Sequence, residues 1–206
     1  MSPSRRIALA KVALFLCLLA PFAYLVAQAV MSRLGPDPAK VLVDQTGLWS
    51  IRMLWLSLAM TPLRILTGKP HWIRFRRMIG LFALFYVASH ALIYVFLLFG
   101  ADWVSLAREL AKRPYIMVGA LALTLMLPLG ITSTRNWQRR LGRRWVQLHK
   151  AVYVVSVLAI VHFAWVKKLG WMQVWPYAVM LLVLLSLRIW AVLRHRHAMS
   201  AHKSVA

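Results

Sequence analysis

Apolar residues in this chain come in blocks about twenty long, broken by short stretches rich in arginine, glycine and proline. A bilayer core about 30 Å thick takes roughly 20 residues of helix to cross. Six blocks meet that length, at approximately 7–30, 48–66, 78–99, 115–131, 146–166 and 172–190. The pattern predicts an all-α, polytopic membrane protein, a six-transmembrane-helix bundle forming a single domain over 1–206. The third block carries no charge, the second has Arg52 and Arg64 near its ends, and the sixth has Arg188, from which a long side chain can snorkel to the headgroups. Most connections are too short for a soluble catalytic domain, and the sequence presents no internal repeat and no low-complexity segment.

Charge orients the bundle. The connections 68–77 (Gly-Lys-Pro-His-Trp-Ile-Arg-Phe-Arg-Arg) and 135–144 (Arg-Asn-Trp-Gln-Arg-Arg-Leu-Gly-Arg-Arg) are strongly basic, as are both ends of the chain. Cytoplasmic loops carry the excess of Lys and Arg, so both termini are placed in the cytoplasm. The three opposite connections hold all four acids, Asp37, Asp44, Asp102 and Glu109, and face outward with Arg33, Lys40, Arg108, Lys112, Arg113, Lys167 and Lys168.

Composition agrees with the pattern. Hydrophobic residues make up 62% of the chain, against about 45–50% in soluble domains. A net charge of +22 from 26 Lys and Arg would elsewhere suggest nucleic-acid binding. Here the cations lie between spans, where they suit anionic lipid headgroups, and no nucleic-acid partner is expected. The lone cysteine, Cys17, lies inside the first block, which excludes an intramolecular disulfide and any Cys-based zinc or iron–sulfur site. The basic start followed by an apolar run resembles a signal peptide. Its length and the absence of a small-x-small pattern before Gly35-Pro36-Asp37-Pro38 predict an uncleaved first helix instead.

Metal chemistry therefore falls to histidine. His71, His195, His197 and His202 lie in basic segments and are expected to be solvated. His90, His149 and His162 lie inside the third and fifth blocks, where an ionisable side chain is costly and points to function; the plainer alternative is a hydrogen bond to a neighbouring helix. His90 is about 18 Å beyond Met78, and His162 about 24 Å beyond Val146, at 1.5 Å per residue. Both spans run outward, so the two imidazoles reach a common level in the outer half. Two imidazoles from facing helices can supply both axial ligands of a haem iron. His149 precedes His162 by ~20 Å along the axis and about 140° around it. A second haem would need a histidine one such interval before His90, where Arg76 and Arg77 stand. His149 stays open as a ligand, a flavin-site residue, a propionate partner or a structural residue. Arg76, Arg77, Arg143 and Arg144 could pair with haem propionates or a flavin phosphate, or simply belong to the positive-inside charge. Trp49, Trp72, Trp103, Trp145, Trp171 and Trp175 cluster near span ends, as an interfacial belt does.

Several stretches carry a resemblance: Gly-Pro-Asp-Pro (35–38), Thr-Gly-Leu-Trp (46–49), Met-Thr-Pro-Leu-Arg (60–64), Arg-Arg-Met-Ile-Gly-Leu (76–81), Ser-His-Ala (89–91), Lys-Arg-Pro-Tyr (112–115), Thr-Ser-Thr (132–134) and, most specific, Arg-Leu-Gly-Arg-Arg-Trp-Val-Gln-Leu-His-Lys (140–150). Over nearly its whole length the chain resembles the MsrQ/YedZ family, haem-binding membrane subunits of the bacterial periplasmic methionine sulfoxide reductase system, related to ferric reductase transmembrane domains. The resemblance implies an inner-membrane b-type cytochrome with haem b and FMN as cofactors. It implies electrons fed by a cytoplasmic flavin reductase or the quinol pool and passed to a periplasmic molybdopterin-containing partner that reduces oxidised methionines. The family histidines correspond to His90, His149 and His162. The loops 31–46 and 100–114 are the expected docking surfaces, and the chain itself is expected to perform no substrate chemistry. The competing reading is a small transporter or channel whose histidines relay protons or bind a metal ion; a third is a membrane anchor with structural histidines.

Overall fold

The computed structural model describes residues 3–167 and 170–203, with side chains described for 5–167 and 170–194. His195, His197, His202 and Lys168 therefore fall outside the described side chains. Among the described residues the protein is helical throughout, with no strand. The helices are α1 (Pro3–Val30), α2 (Pro38–Thr67), α3 (Ile73–Ile93), α4 (Trp103–Lys112), α5 (Pro114–Ile131), α6 (Arg135–Leu141), α7 (Arg143–His149), α8 (Ala151–Val166) and α9 (Trp171–Lys203). A 3₁₀ turn, Pro70–Trp72, leads into α3, and a π turn, Tyr94–Leu98, follows it.

Four helices form the centre. α2 pairs with α3, α5 pairs with α8, and the two hairpins close on each other through α3 with α5 and α2 with α8; α1 and α9 pack outside them. Among the described residues, five helical stretches are long and apolar enough to cross a membrane: Arg5–Val30, Pro70–Leu98, Pro114–Ile131, Arg143–Val166 and Trp171–Arg194. The expected span at 48–66 lies within α2, which is longer than a bilayer requires but less apolar. Its position explains the difference. Ile51, Met53, Leu54, Trp55, Leu58 and Met60 are buried against other helices, so much of α2 meets protein rather than lipid and tolerates polar residues. The outer helices show the reverse, with Leu9, Val12, Phe15, Leu182, Val183 and Ile189 exposed, as lipid contact requires.

Packing between helices in lipid gains nothing from expelling water and depends on fit and interhelical hydrogen bonds. Proline positions supply some of those bonds. Next to Pro21 in α1, the buried Tyr86 hydroxyl of α3 accepts from Phe22 N–H at 3.1 Å and donates to Leu18 C=O at 2.8 Å, groups an unbroken helix would join to each other. In α2, Pro62 has no N–H for the Leu58 carbonyl four residues back. Arg188 of α9 donates to that carbonyl through Nη2, and through Nη1 to the Tyr153 hydroxyl at 2.7 Å. Arg188 is only 8% exposed. This corrects the expectation that it snorkels: the orphaned carbonyl and the tyrosine draw it inward.

The connection before α5 holds a further helix that hydropathy alone passed over. α4 is short and amphipathic, with Trp103 and Val104 exposed. Asp102 caps it, accepting from the Val104 and Ser105 N–H groups, each at 3.1 Å, and from Ser105 Oγ at 2.6 Å. These bonds, that from the Ser105 hydroxyl first, hold the Asp102 carboxyl below its ordinary value. The block at 146–166 is divided at Lys150 into α7 and α8.

Candidate functional site

His90 stands near the end of α3 and His162 near the end of α8. Their rings lie next to each other, nearly perpendicular, with centroids 6.3 Å apart and planes at 83°. His90 Nδ1 lies 2.9 Å from the Val43 carbonyl of α2, and His162 Nδ1 lies 2.7 Å from the Tyr115 carbonyl of α5. A carbonyl can only accept, so each Nδ1 carries the proton and each Nε2 keeps its lone pair. That is the tautomer a metal-ligating imidazole takes, oriented by a bond from its other nitrogen.

Each ring also rests on a glycine. A Cβ on Gly47 would lie 3.0 Å from His90 Nδ1, and one on Gly119 would lie 2.8 Å from both Nδ1 and Cε1 of His162. The carbonyl and the glycine are four residues apart in each case, one helical turn, so α2 and α5 present the same seat. The spacing repeats along the chain as well: Val43 and Tyr115, Gly47 and Gly119, and His90 and His162 are each separated by 72 residues. This corrects the reading that there is no internal repeat. The repeat lies in backbone placement and in a few contact positions, which hydropathy does not register.

An apolar cleft continues below the imidazoles. Its lining follows the same offset, in the pairs Ser50 and Ala122, Leu54 and Met126, Ala83 and Val155, and Val87 and Ala159, with Ile51 added on one side. These positions are three and seven residues from the glycines and histidines, so the cleft lies between the two hairpins one to two turns below the ring pair.

The chemistry of the donor set suits a single metal held from two sides. Metal–imidazole bonds are about 2.0–2.1 Å, and the ring centre lies about 1.2 Å further on, so two imidazoles on opposite sides of one metal place their centroids ~6.4 Å apart. The observed 6.3 Å matches. Two imidazoles would leave the remaining positions of a metal to another donor, and no group of three or more His, Cys, Asp or Glu occurs among the described residues. A porphyrin iron is such a centre.

His149 is not brought to this pair. It ends α7, just before the start of α8 and far from His162, stacked on Trp145 at 3.9 Å, with Nδ1 3.1 Å from the Trp145 carbonyl. Its counterpart by the 72-residue offset is Arg77, so the repeat supplies one imidazole at that end rather than two. Arg76, Arg77, Arg143 and Arg144 also lie at the far end, Arg76 about 21 Å along α3 from His90. Arg77, Arg143 and Arg144 are exposed and Arg76 is half-buried. Near the histidines the charged groups are instead Asp44 and Lys167, paired at 3.1 Å. Sequence reasoning missed the Val43 and Tyr115 carbonyls and the glycines Gly47 and Gly119; equal spacing of Gly and His in the two halves was the available signal.

An all-helical chain with five membrane-length helices and this four-helix centre defines a multi-pass membrane protein of the ferric reductase-like class, and the family model described as ferric reductase like transmembrane component matches residues 46–160. The chain is 42% identical over 201 residues, 95% of its length and 92% of the relative's, to the protein-methionine-sulfoxide reductase heme-binding subunit MsrQ of Xanthomonas campestris pv. campestris (strain 8004). Its identity to the MsrQ of Ralstonia nicotianae (strain ATCC BAA-1114 / GMI1000) is 43% over 197 residues, covering 94% and 91% of the two chains. To that of Xanthomonas euvesicatoria pv. vesicatoria (strain 85-10) it is 46% over 163 residues, covering 79% and 75%. The chain belongs to the MsrQ family.

Proposed function

We propose that this protein is an inner-membrane b-type cytochrome in which His90 Nε2 and His162 Nε2 are the axial ligands of one haem b. The observation that carries the reading is the adjacent imidazole pair, each ring fixed by a carbonyl on Nδ1 and a glycine beneath it. Bound between them, the haem supplies a centre that takes up and releases one electron at a time. The chain's own residues hold both imidazoles in one tautomer, close the site with apolar side chains, and keep it near one end of the bundle.

In this reading all six blocks span the bilayer, with α2 as the inner sixth, and the arginine-rich end faces the cytoplasm. Electrons enter there from a flavin reductase or the quinol pool, with FMN as a second cofactor near the basic loops. They leave at the histidine end to a periplasmic molybdopterin-containing reductase that repairs oxidised methionines. The heme-binding MsrQ relatives support the cofactor and the partner system; charge asymmetry supports the orientation. The acid-bearing segments 31–46, which includes the first turns of α2, and 100–114, which holds α4, form the docking face at the histidine end. The chain carries electrons and transforms no substrate.

Absorbance spectroscopy of the purified protein tests the assignment. A low-spin haem spectrum is expected in the wild type, and it is lost or shifted in both His90→Ala and His162→Ala. Retention of the unchanged spectrum in both variants would remove these residues as ligands, and a colourless wild type would favour a transporter or channel.

A further inference from the structure

The apolar side of α4 is wider than its packing uses. At about 100° per residue, Leu106, Leu110, Trp103, Ala107, Ala111 and Val104 fall in one arc of about 160°, and Arg108, Lys112, Ser105 and Glu109 fill the rest. Ser105, Leu106, Glu109 and Leu110 are half-buried and turn toward the bundle, where α4 meets α5. The opposite side is exposed and divided lengthwise. One strip is apolar, with Trp103 63% and Val104 61% exposed beside the exposed Ala107 and Ala111; the strip next to it is cationic, with Arg108 and Lys112.

The depth of α4 follows from the helices it joins. Pro114–Ile131 has 18 residues, which make about 27 Å of helix, barely the thickness of a hydrocarbon core. Its first residues, where α4 ends, therefore stand at the hydrocarbon edge. Tyr115 is there at the level of the imidazoles, through its carbonyl on His162 Nδ1. At the other end of α4, α3 and its π turn carry the chain past His90 to Leu98, about 12 Å beyond that level. α4 thus crosses the headgroup layer and comes down to the acyl chains. Phe96, Leu97 and Leu98 are exposed on the span, and the Phe96 and Trp103 rings meet with centroids 6.4 Å apart. The apolar strip of α4 is therefore continuous with the lipid-facing surface of the span before it.

We propose that α4 is an interfacial helix embedded in the leaflet at the histidine end, with Trp103, Val104, Ala107 and Ala111 against acyl chains and Arg108 and Lys112 at the phosphates of anionic lipids. An apolar strip bordered by cations is the pattern by which a helix lies in the plane of a membrane, and tryptophan favours that depth. Lipid rather than a partner protein covers the strip because the strip continues a surface that already faces lipid. The inference does not depend on the haem assignment, and it narrows the docking face: this strip is the part of 100–114 turned to the membrane.

The test uses the full-length chain carrying Cys17→Ser, reconstituted in bilayers of phosphatidylcholine and phosphatidylglycerol. Spin labels are placed singly through Trp103→Cys, Val104→Cys, Ala107→Cys and Ala111→Cys on the strip, and through Arg108→Cys and Lys112→Cys beside it. Val183→Cys, on the exposed side of α9, is the lipid reference. Collision rates with oxygen, which concentrates among acyl chains, are compared with those of a nickel chelate, which stays in water. The oxygen-to-nickel ratio on the strip should approach that of the reference and exceed severalfold that of the two cationic positions. Thermal unfolding checks each labelled chain, and positions are read separately, so a variant that fails to fold leaves the strip to be judged by the others. Nickel collisions dominating along the strip place it in water, and few collisions with either reagent place it under protein, whether a partner or a second copy. Either result overturns the proposal.

Discussion

Gly119 offers the sharpest test of the histidine seat. Gly→Ala in a helix interior ordinarily stabilises by about 1 kcal/mol, because alanine loses less backbone freedom. Here the added methyl would lie 2.8 Å from Nδ1 and Cε1 of His162, where ordinary contact begins at 3.4 Å. The ring must therefore move by about 0.6 Å or more, away from a carbonyl that it meets at 2.7 Å. Overpacking of this kind costs about 1–3 kcal/mol, and weakening the hydrogen bond adds about 0.5–1.5 kcal/mol. The sum outweighs the propensity gain, leaving a net loss of about 1–3 kcal/mol. Gly119→Ala should lower Tm in detergent and shift the absorbance of the bound haem, because the ring that carries the ligand has moved. Gly47→Ala, whose methyl would meet His90 at 3.0 Å, should shift the same observables in the same direction by less. If Gly119→Ala raises Tm by the full propensity increment and leaves the spectrum unchanged, the glycine is not a seat.

Other consequences follow from the same contacts. Tyr86→Phe removes a hydroxyl that serves both Leu18 and Phe22, and should cost about 1–3 kcal/mol in unfolding free energy, with cavity effects excluded by the retained ring. Arg188→Met should destabilise by orphaning the Leu58 carbonyl. Adding Pro62→Ala restores an N–H for that carbonyl and should recover part of the loss, so a double-mutant cycle with zero coupling would sink the account. At α4, the carboxyl of Asp102 is held below its ordinary value near 3.8 by its bonds to Ser105 and Val104. A group lowered on folding stabilises fully above its unfolded value, and that contribution is lost as pH falls through the folded one. Protection factors of the amides in the first turn of α4, corrected for the intrinsic pH dependence of exchange, should therefore be high near pH 6 and fall below about pH 4, a change that Asp102→Asn abolishes.

Much of the fold was legible in the chain because bilayer crossing is a local property. Twenty apolar residues in succession specify a buried helix wherever their neighbours lie, and five of the six expected blocks reappear as helices apolar enough to span. The block in α2 reads weakly for the same reason: hydropathy measures exposure to lipid, and an inner helix meets protein. The rise per residue likewise places His90 and His162 at one level without any tertiary information.

Partnership between helices could not be read in that way. Which carbonyl holds each imidazole, which glycine lies beneath it, and that both hairpins do this at the same 72-residue offset depend on contacts between positions more than forty residues apart. Arg188 makes the contrast plain. By hydropathy alone it is a cation near a span end, free to reach the headgroups. In the folded bundle Pro62 of the neighbouring α2 leaves Leu58 without its donor, and the arginine turns inward to replace it. The sequence alone determined the long apolar helices and the shared level of the two histidines, since both follow from local geometry. Only the tertiary structure decided their tautomer, their seats and the burial of Arg188, since each is set by a backbone group on another helix.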